Sequence, residues 1–129
     1  GTPFDEDEYL VSEGAVEESF QTIEHDHPAA RFCLHGHTHA PMAVESRGGR
    51  WRRIAGSPVR LEASARYLLN PGSVGQPRDG NTRASFGILD TSHGSWRIVR
   101  VPYDVDGARG KIVAARLPAE LALRLAQGW

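Results

Sequence analysis

Apolar residues between Pro41 and Asp104 come only in short runs, cut repeatedly by glycine, proline and asparagine, and this limits the fold more than any other feature. "MAVES" and "WRRIA" flank Arg47-Gly48-Gly49-Arg50 and predict a hairpin, while "RYLLN" stops at the breaker Pro71. "SFGILD" and "SWRIVRVPYD" flank Thr91-Ser92-His93-Gly94, a second hairpin. Helical periodicity belongs to the two ends. Val16, Phe20 and Ile23, between a capping Ser12 and the stop signal Pro28, predict a helix over 13–25. Segments 105–116 and 118–127 carry Ile112, Val113, Leu117, Leu121 and Leu125 as an apolar stripe that Gly128 terminates. "RFCLH" reads as a short buried strand. The order helix, strand, antiparallel strands, helices predicts an α+β fold whose helices cover one face of a sheet.

The chain has 129 residues, 40% of them hydrophobic, and a formal net charge of -1, which predicts one domain over 1–129 with a modest core. No run approaches the roughly 18 apolar residues of a membrane helix, and the acidic start "GTPFDEDEYL" is unlike a secretory signal. A cytoplasmic location without a membrane partner is the expectation. Cys33 is the only cysteine, so neither an internal disulfide nor a Cys-x-x-Cys zinc knuckle can form, and it reads as a small buried hydrophobe. Nine of the 16 acids and none of the 15 Lys and Arg residues fall in positions 1–30. The two parts therefore attract each other, or the basic part meets an anion. Its arginines are scattered without interleaved aromatics, which argues against a nucleic-acid partner. The chain begins with Gly1 and its only methionine is Met42, so it is expected to belong to something longer.

Half of the six histidines alternate in "LHGHTHAPM": His35, His37 and His39. Imidazole is the commonest side chain for holding borderline metal ions. On extended backbone alternating side chains face one way, as a mononuclear zinc site would need; on a turn they can reach two neighbouring ions. Gly36 is expected to supply that bend, and Thr38 to steady an imidazole. Plain polar loop histidines are the simpler alternative. His25 and His27, in "EHDHP", lie at the expected helix end beside acids, where protonation and the helix dipole explain them, and His93 is expected on the surface. No G-x-S-x-G, P-loop or G-x-G-x-x-G occurs, and the acids cluster where solvation accounts for them, so serine-nucleophile, nucleotide-cradle and paired-carboxylate chemistries lack a signal.

Two motifs together carry a family resemblance. "GHTHAP", residues 36–41, is followed about thirty residues later by "NPGSVGQPRDGNTRASFGILD", residues 70–90. The pair resembles the C-terminal half of small calcineurin-like metallophosphoesterases of the bacterial and archaeal phosphodiesterase type. The resemblance covers most of the chain. It implies a two-sheet β-sandwich flanked by helices, with a dinuclear metal centre at the strand ends. His37 would ligate one divalent ion and His39 the other, whether Mn, Fe, Zn or Ni; His35 lies outside the motif and has no implied role. Two such ions, roughly 4 Å apart, activate water, bind phosphate oxygens and stabilise the departing oxygen. The implied substrates are phosphomonoesters or phosphodiesters, small molecules or nucleotides. Arg78, in "GQPRDG", is a candidate phosphate contact by bidentate geometry, with pairing to Asp79 as the alternative. Asn70 to Ser73 would fix a turn near the site.

The family's Asp-x-His, Gly-Asp and Gly-Asn-His-[Asp/Glu] motifs, and a histidine before a glycine that matches Gly1, are absent. The resemblance therefore implies that no catalytic residue lies in this portion and that an N-terminal half supplies the rest of the cage. The chain alone would be inactive and would expose an apolar sheet face. A non-catalytic interaction module on the same fold is the rival function.

Overall fold

The computed structural model describes residues 1–129. After a capped turn at the start comes α1 (Glu13–Asp26), then β1 (Phe32–Leu34), β2 (Pro41–Arg47), β3 (Arg50–Arg53), β4 (Val59–Arg60), β5 (Arg66–Pro71), β6 (Ala84–Asp90), β7 (Ser95–Val101), α2 (Val105–Ala114) and α3 (Ala119–Gln127). The fold is mixed α+β. One sheet has the order β1-β5-β2-β3, with β1 parallel to β5 and the other pairs antiparallel; the second, all antiparallel, has the order β4-β7-β6.

α1 starts where Ser12, in extended backbone, accepts the Ala15 N–H on Oγ at 3.0 Å. It buries Val16, Phe20 and Ile23 against Val44 and Leu68 of the first sheet. The alternation of β5 then divides the core: Leu68 faces α1, whereas Tyr67 and Leu69 join Ala43, Val59 and Trp96 between the sheets. The layers are helix, sheet, sheet. At Gly87 the Trp96 indole lies so close to β6 that a Cβ would come within 2.0 Å of it, which seats Trp96 in the sandwich. Cys33 is half-buried against the α1 side, where burial raises its thiol pKa.

The strands expected from the sequence are present, with β4 in addition. Two residues are too few for a periodic signal, yet β4 carries the chain from the first sheet to the second. The C-terminal stripe is a correction. α2 buries no residue, Val113 is 61% exposed and Leu117 51% exposed, and only Ala122 and Leu125 of α3 are buried. Leu117 sits in the link, where Arg116 takes a left-handed φ of 55°, so the helical phase breaks and the two helices pack on each other rather than across a sheet. Only α1 covers a face of the first sheet. The outer face of the second sheet carries exposed Phe86, Ile88 and Val101.

Because β1 and β5 are parallel, their C-terminal ends lie at one edge of the sheet, and β2 starts there. The loops after Leu34 and after Pro71 therefore meet, which brings the two sequence motifs together.

Candidate metal and phosphate site

His37 and His39 are both in the left-handed region, with φ of 72° and 58°, a conformation few residues with a Cβ adopt. Thr38 N donates to Gly36 O at 2.9 Å, closing a tight γ-turn over His37. Such backbone costs on the order of 1–3 kcal/mol per residue and persists only where surrounding contacts hold it. The bend lies at the histidines themselves. Gly36, expected to supply it, has no positive φ and nothing within 4 Å of a would-be Cβ.

The second motif does the holding. Asn70 is fully buried, and its Nδ2 donates to Thr38 Oγ1 at 2.9 Å and lies 3.4 Å from both Gly36 O and His35 Nδ1. Its Oδ1 accepts the Gly72 N–H at 2.9 Å. Gly72 has φ of +80°, and a Cβ there would fall 2.7 Å from Ser85 Oγ and 2.9 Å from Pro41 Cγ. Ser73 Oγ accepts the N–H groups of Gly75 and Gln76 at 3.2 and 2.9 Å, fixing the turn. Gln76 in turn presents its carbonyl to His39 Nδ1 at 2.8 Å. A carbonyl only accepts, so Nδ1 is the donor, and in the neutral ring this makes Nε2 the lone-pair nitrogen. His39 O meanwhile accepts the Arg78 N–H at 3.1 Å.

The His37 ring stacks on Tyr9, centroids 4.1 Å apart at 33°. Arg78 comes to the same place. Its Nε and Nη2 share Gln76 Oε1 at 3.2 and 3.1 Å, and Nη1 lies 3.5 Å from Tyr9 Oη. Asp79, offered by the sequence as the partner of Arg78, pairs with Arg100 instead. Tyr9 and Gln76 were invisible as site residues: Gln76 acts partly through its backbone, and nothing in "EDEYL" signals proximity to the histidines.

His35 is set apart. It is buried, and that burial lowers its pKa to about 4, leaving a neutral ring whose Nε2 has no hydrogen-bond partner. With its Nδ1 toward Asn70, it does not join His37 and His39 around one ion, and no three His, Cys, Asp or Glu side chains converge anywhere. The mononuclear three-histidine reading is overturned. His25 and His93 are exposed and lie beside Asp26 and Asp90, at 2.5 and 2.8 Å. His37 and His39 are thus the two imidazoles on this loop whose nitrogens are of the kind that borderline metal ions take as ligands.

Residues 2–94 match the calcineurin-like phosphoesterase superfamily domain. The chain is 46% identical over 93 residues to the uncharacterized protein MJ0912 of Methanocaldococcus jannaschii, an alignment covering 72% of this chain and 37% of that protein. It superposes on a metallophosphoesterase from Sphaerobacter thermophilus with a TM-score of 0.65 and 34% identity, over 77% of this chain and 42% of the other. The hypothetical protein PH1004 of Pyrococcus horikoshii shares the fold at a TM-score of 0.68 and 18% identity, over 100% of this chain and 44% of that one. The chain thus spans about two fifths of the length of these relatives. No helix is long and apolar enough to cross a membrane. The match over residues 2–94 and the shared fold place this chain in the calcineurin-like phosphoesterase superfamily.

Proposed function

We propose that this chain supplies two metal ligands, His37 and His39, and one phosphate contact, Arg78, to a dinuclear site that hydrolyses phosphomonoesters or phosphodiesters. The observation that carries this reading is the pair of left-handed histidines on one loop, locked by residues 70–76, with His39 Nδ1 given to the Gln76 carbonyl. Strain of this kind, held by a dedicated network, is what a ligand loop needs and a plain surface loop does not. Divalent ions, when bound, would activate water and neutralise charge developing on the phosphate. The residues of this chain orient. His39 offers Nε2 with its ring fixed from behind, and Tyr9 supports the face of His37. Arg78, seated on Gln76 through two nitrogens, keeps N–H groups free for phosphate oxygens. The remaining ligands, the group that protonates the leaving oxygen and the substrate itself come from outside this chain.

The test uses a polypeptide of the relatives' full length that contains this segment. Hydrolysis of bis(p-nitrophenyl) phosphate with Mn²⁺ should fall at least about a hundredfold in His37→Ala and in His39→Ala. Unchanged turnover in both variants eliminates this site assignment, whereas no hydrolysis by the unsubstituted polypeptide favours a non-catalytic module on this fold.

A further inference from the structure

The apolar stripe of the C-terminal helices takes no part in the histidine site and has no sheet to lie on. Val113 of α2, Leu117 of the link and Leu123 of α3 are each at least half exposed. The two helices are joined by residues 115–118 and pack on each other as an antiparallel hairpin. Between them runs an open groove of about 390 Å³ whose apolar part is Val113, Ala119, Ala122 and Leu123. The hairpin lies beyond residues 2–94, the part that matches the superfamily domain. An apolar groove facing water across two short helices is a surface built to be covered.

Charge says what covers it. Arg109 and Glu120 also line the groove. Glu120 stands in the first turn of α3, beside the link, whereas Arg109 lies one turn before Val113 on α2, farther from the link. Arg109 Nη1 donates to Asp106 Oδ1 at 2.8 Å and its Nε has no partner, so the guanidinium has donor capacity left. Glu120 is exposed and takes part in none of the ion pairs of the chain. A base toward one end, an acid toward the other and an apolar middle form a pattern that a two-fold axis maps onto itself.

We infer that the α2–α3 hairpin is a dimerisation surface whose occupant is the same hairpin of a second copy of this chain. Two hairpins then form a four-helix bundle in which Val113, Leu117 and Leu123 pack about the two-fold axis, and each Arg109 meets the Glu120 of the other copy. The stripe thereby gains the surface it lacks within one chain. The contact involves no residue of the histidine loop or of the segment 70–78 that supports it, so it stands apart from the phosphoesterase reading.

The test is sedimentation velocity on a polypeptide of the relatives' full length that contains this segment. A dimer is expected for the unsubstituted polypeptide. Leu123→Glu, at an exposed position, should give a monomer that keeps its helical circular dichroism. Glu120→Arg sets arginine against arginine twice in the dimer and should weaken association at least about tenfold. Adding Arg109→Glu to that variant exchanges the charges and should restore the dimer, a result that does not depend on how Leu123→Glu folds. A monomeric unsubstituted polypeptide would give the groove to another segment of its own chain or to a different protein, and overturns the inference. A dimer that survives Leu123→Glu, or a double variant no tighter than Glu120→Arg alone, overturns it as well.

Discussion

Asn70 Nδ2 donates to Thr38 Oγ1 across 2.9 Å, joining the end of β5 to the turn between the two left-handed histidines. Both ends of this bond belong to separate sequence motifs, and the Asn70 side chain is fully buried. The bond makes the second motif the support of the first. Asn70→Ala should leave the Thr38 hydroxyl and Gly36 carbonyl short of a donor and lower unfolding free energy in urea by about 1–3 kcal/mol. A change within about 0.3 kcal/mol of wild type would show that the network does not hold the loop.

The glycines on either side of the network should respond in opposite ways. Gly72→Ala forces a Cβ against Ser85 and Pro41 at a positive φ, and should destabilise by roughly 2 kcal/mol or more. Gly36→Ala meets open space at an ordinary φ and should stay within about 0.5 kcal/mol of wild type. Denaturant midpoints for the two variants measure this directly. A large loss at Gly36 would place the bend where the sequence suggested it.

That contrast shows which parts of the molecule the sequence could reveal. The two motifs, the strand runs and α1 were legible because each has a local signal: turn residues, alternation, a cap and a helical stripe. The α+β class followed from their order. β4 was not legible, since a two-residue strand has no period. The failed C-terminal stripe is the same lesson reversed, because periodicity at Val113 and Leu117 says nothing about whether a surface is there to receive it. The alternating histidines were visible in the spacing, and the family resemblance singled out His37 and His39, but neither reveals the φ values they adopt. Tyr9 and the Gln76 carbonyl could not be found at all, because a stacked ring from the first ten residues and a backbone acceptor leave no pattern in the chain.

Stability should depend on acid through Glu45, which lies almost buried between Tyr67 and Arg52 on the flanking strands. Burial pushes its carboxyl pKa up, but the hydrogen bond from Tyr67 Oη at 2.9 Å and the Arg52 guanidinium outweigh it, and the net shift is downward from 4.5. A lowered folded-state value means the stabilisation is present above about pH 4.5 and is lost as pH falls through the folded value. Tyr67→Phe removes a donor from the carboxylate and should move the acid-unfolding midpoint, followed by circular dichroism, to higher pH. A midpoint that stays or falls would contradict this account.

Ser73 acts two steps from His39, by fixing the turn whose Gln76 carbonyl meets His39 Nδ1. In a polypeptide of the relatives' length, Ser73→Ala should weaken Mn²⁺ affinity about tenfold, with urea stability changed by no more than about 1 kcal/mol. Undiminished affinity would mean that His39 needs no support from behind.

If His37 and His39 each serve a different ion, as proposed, equilibrium Mn²⁺ binding to that longer polypeptide will show it, with stoichiometry read by calorimetry and elemental analysis. Two ions are expected in the wild type, about one retained at high affinity in His37→Ala or His39→Ala, and neither at high affinity in the double variant. Two tightly bound ions in the double variant would rule the pairing out.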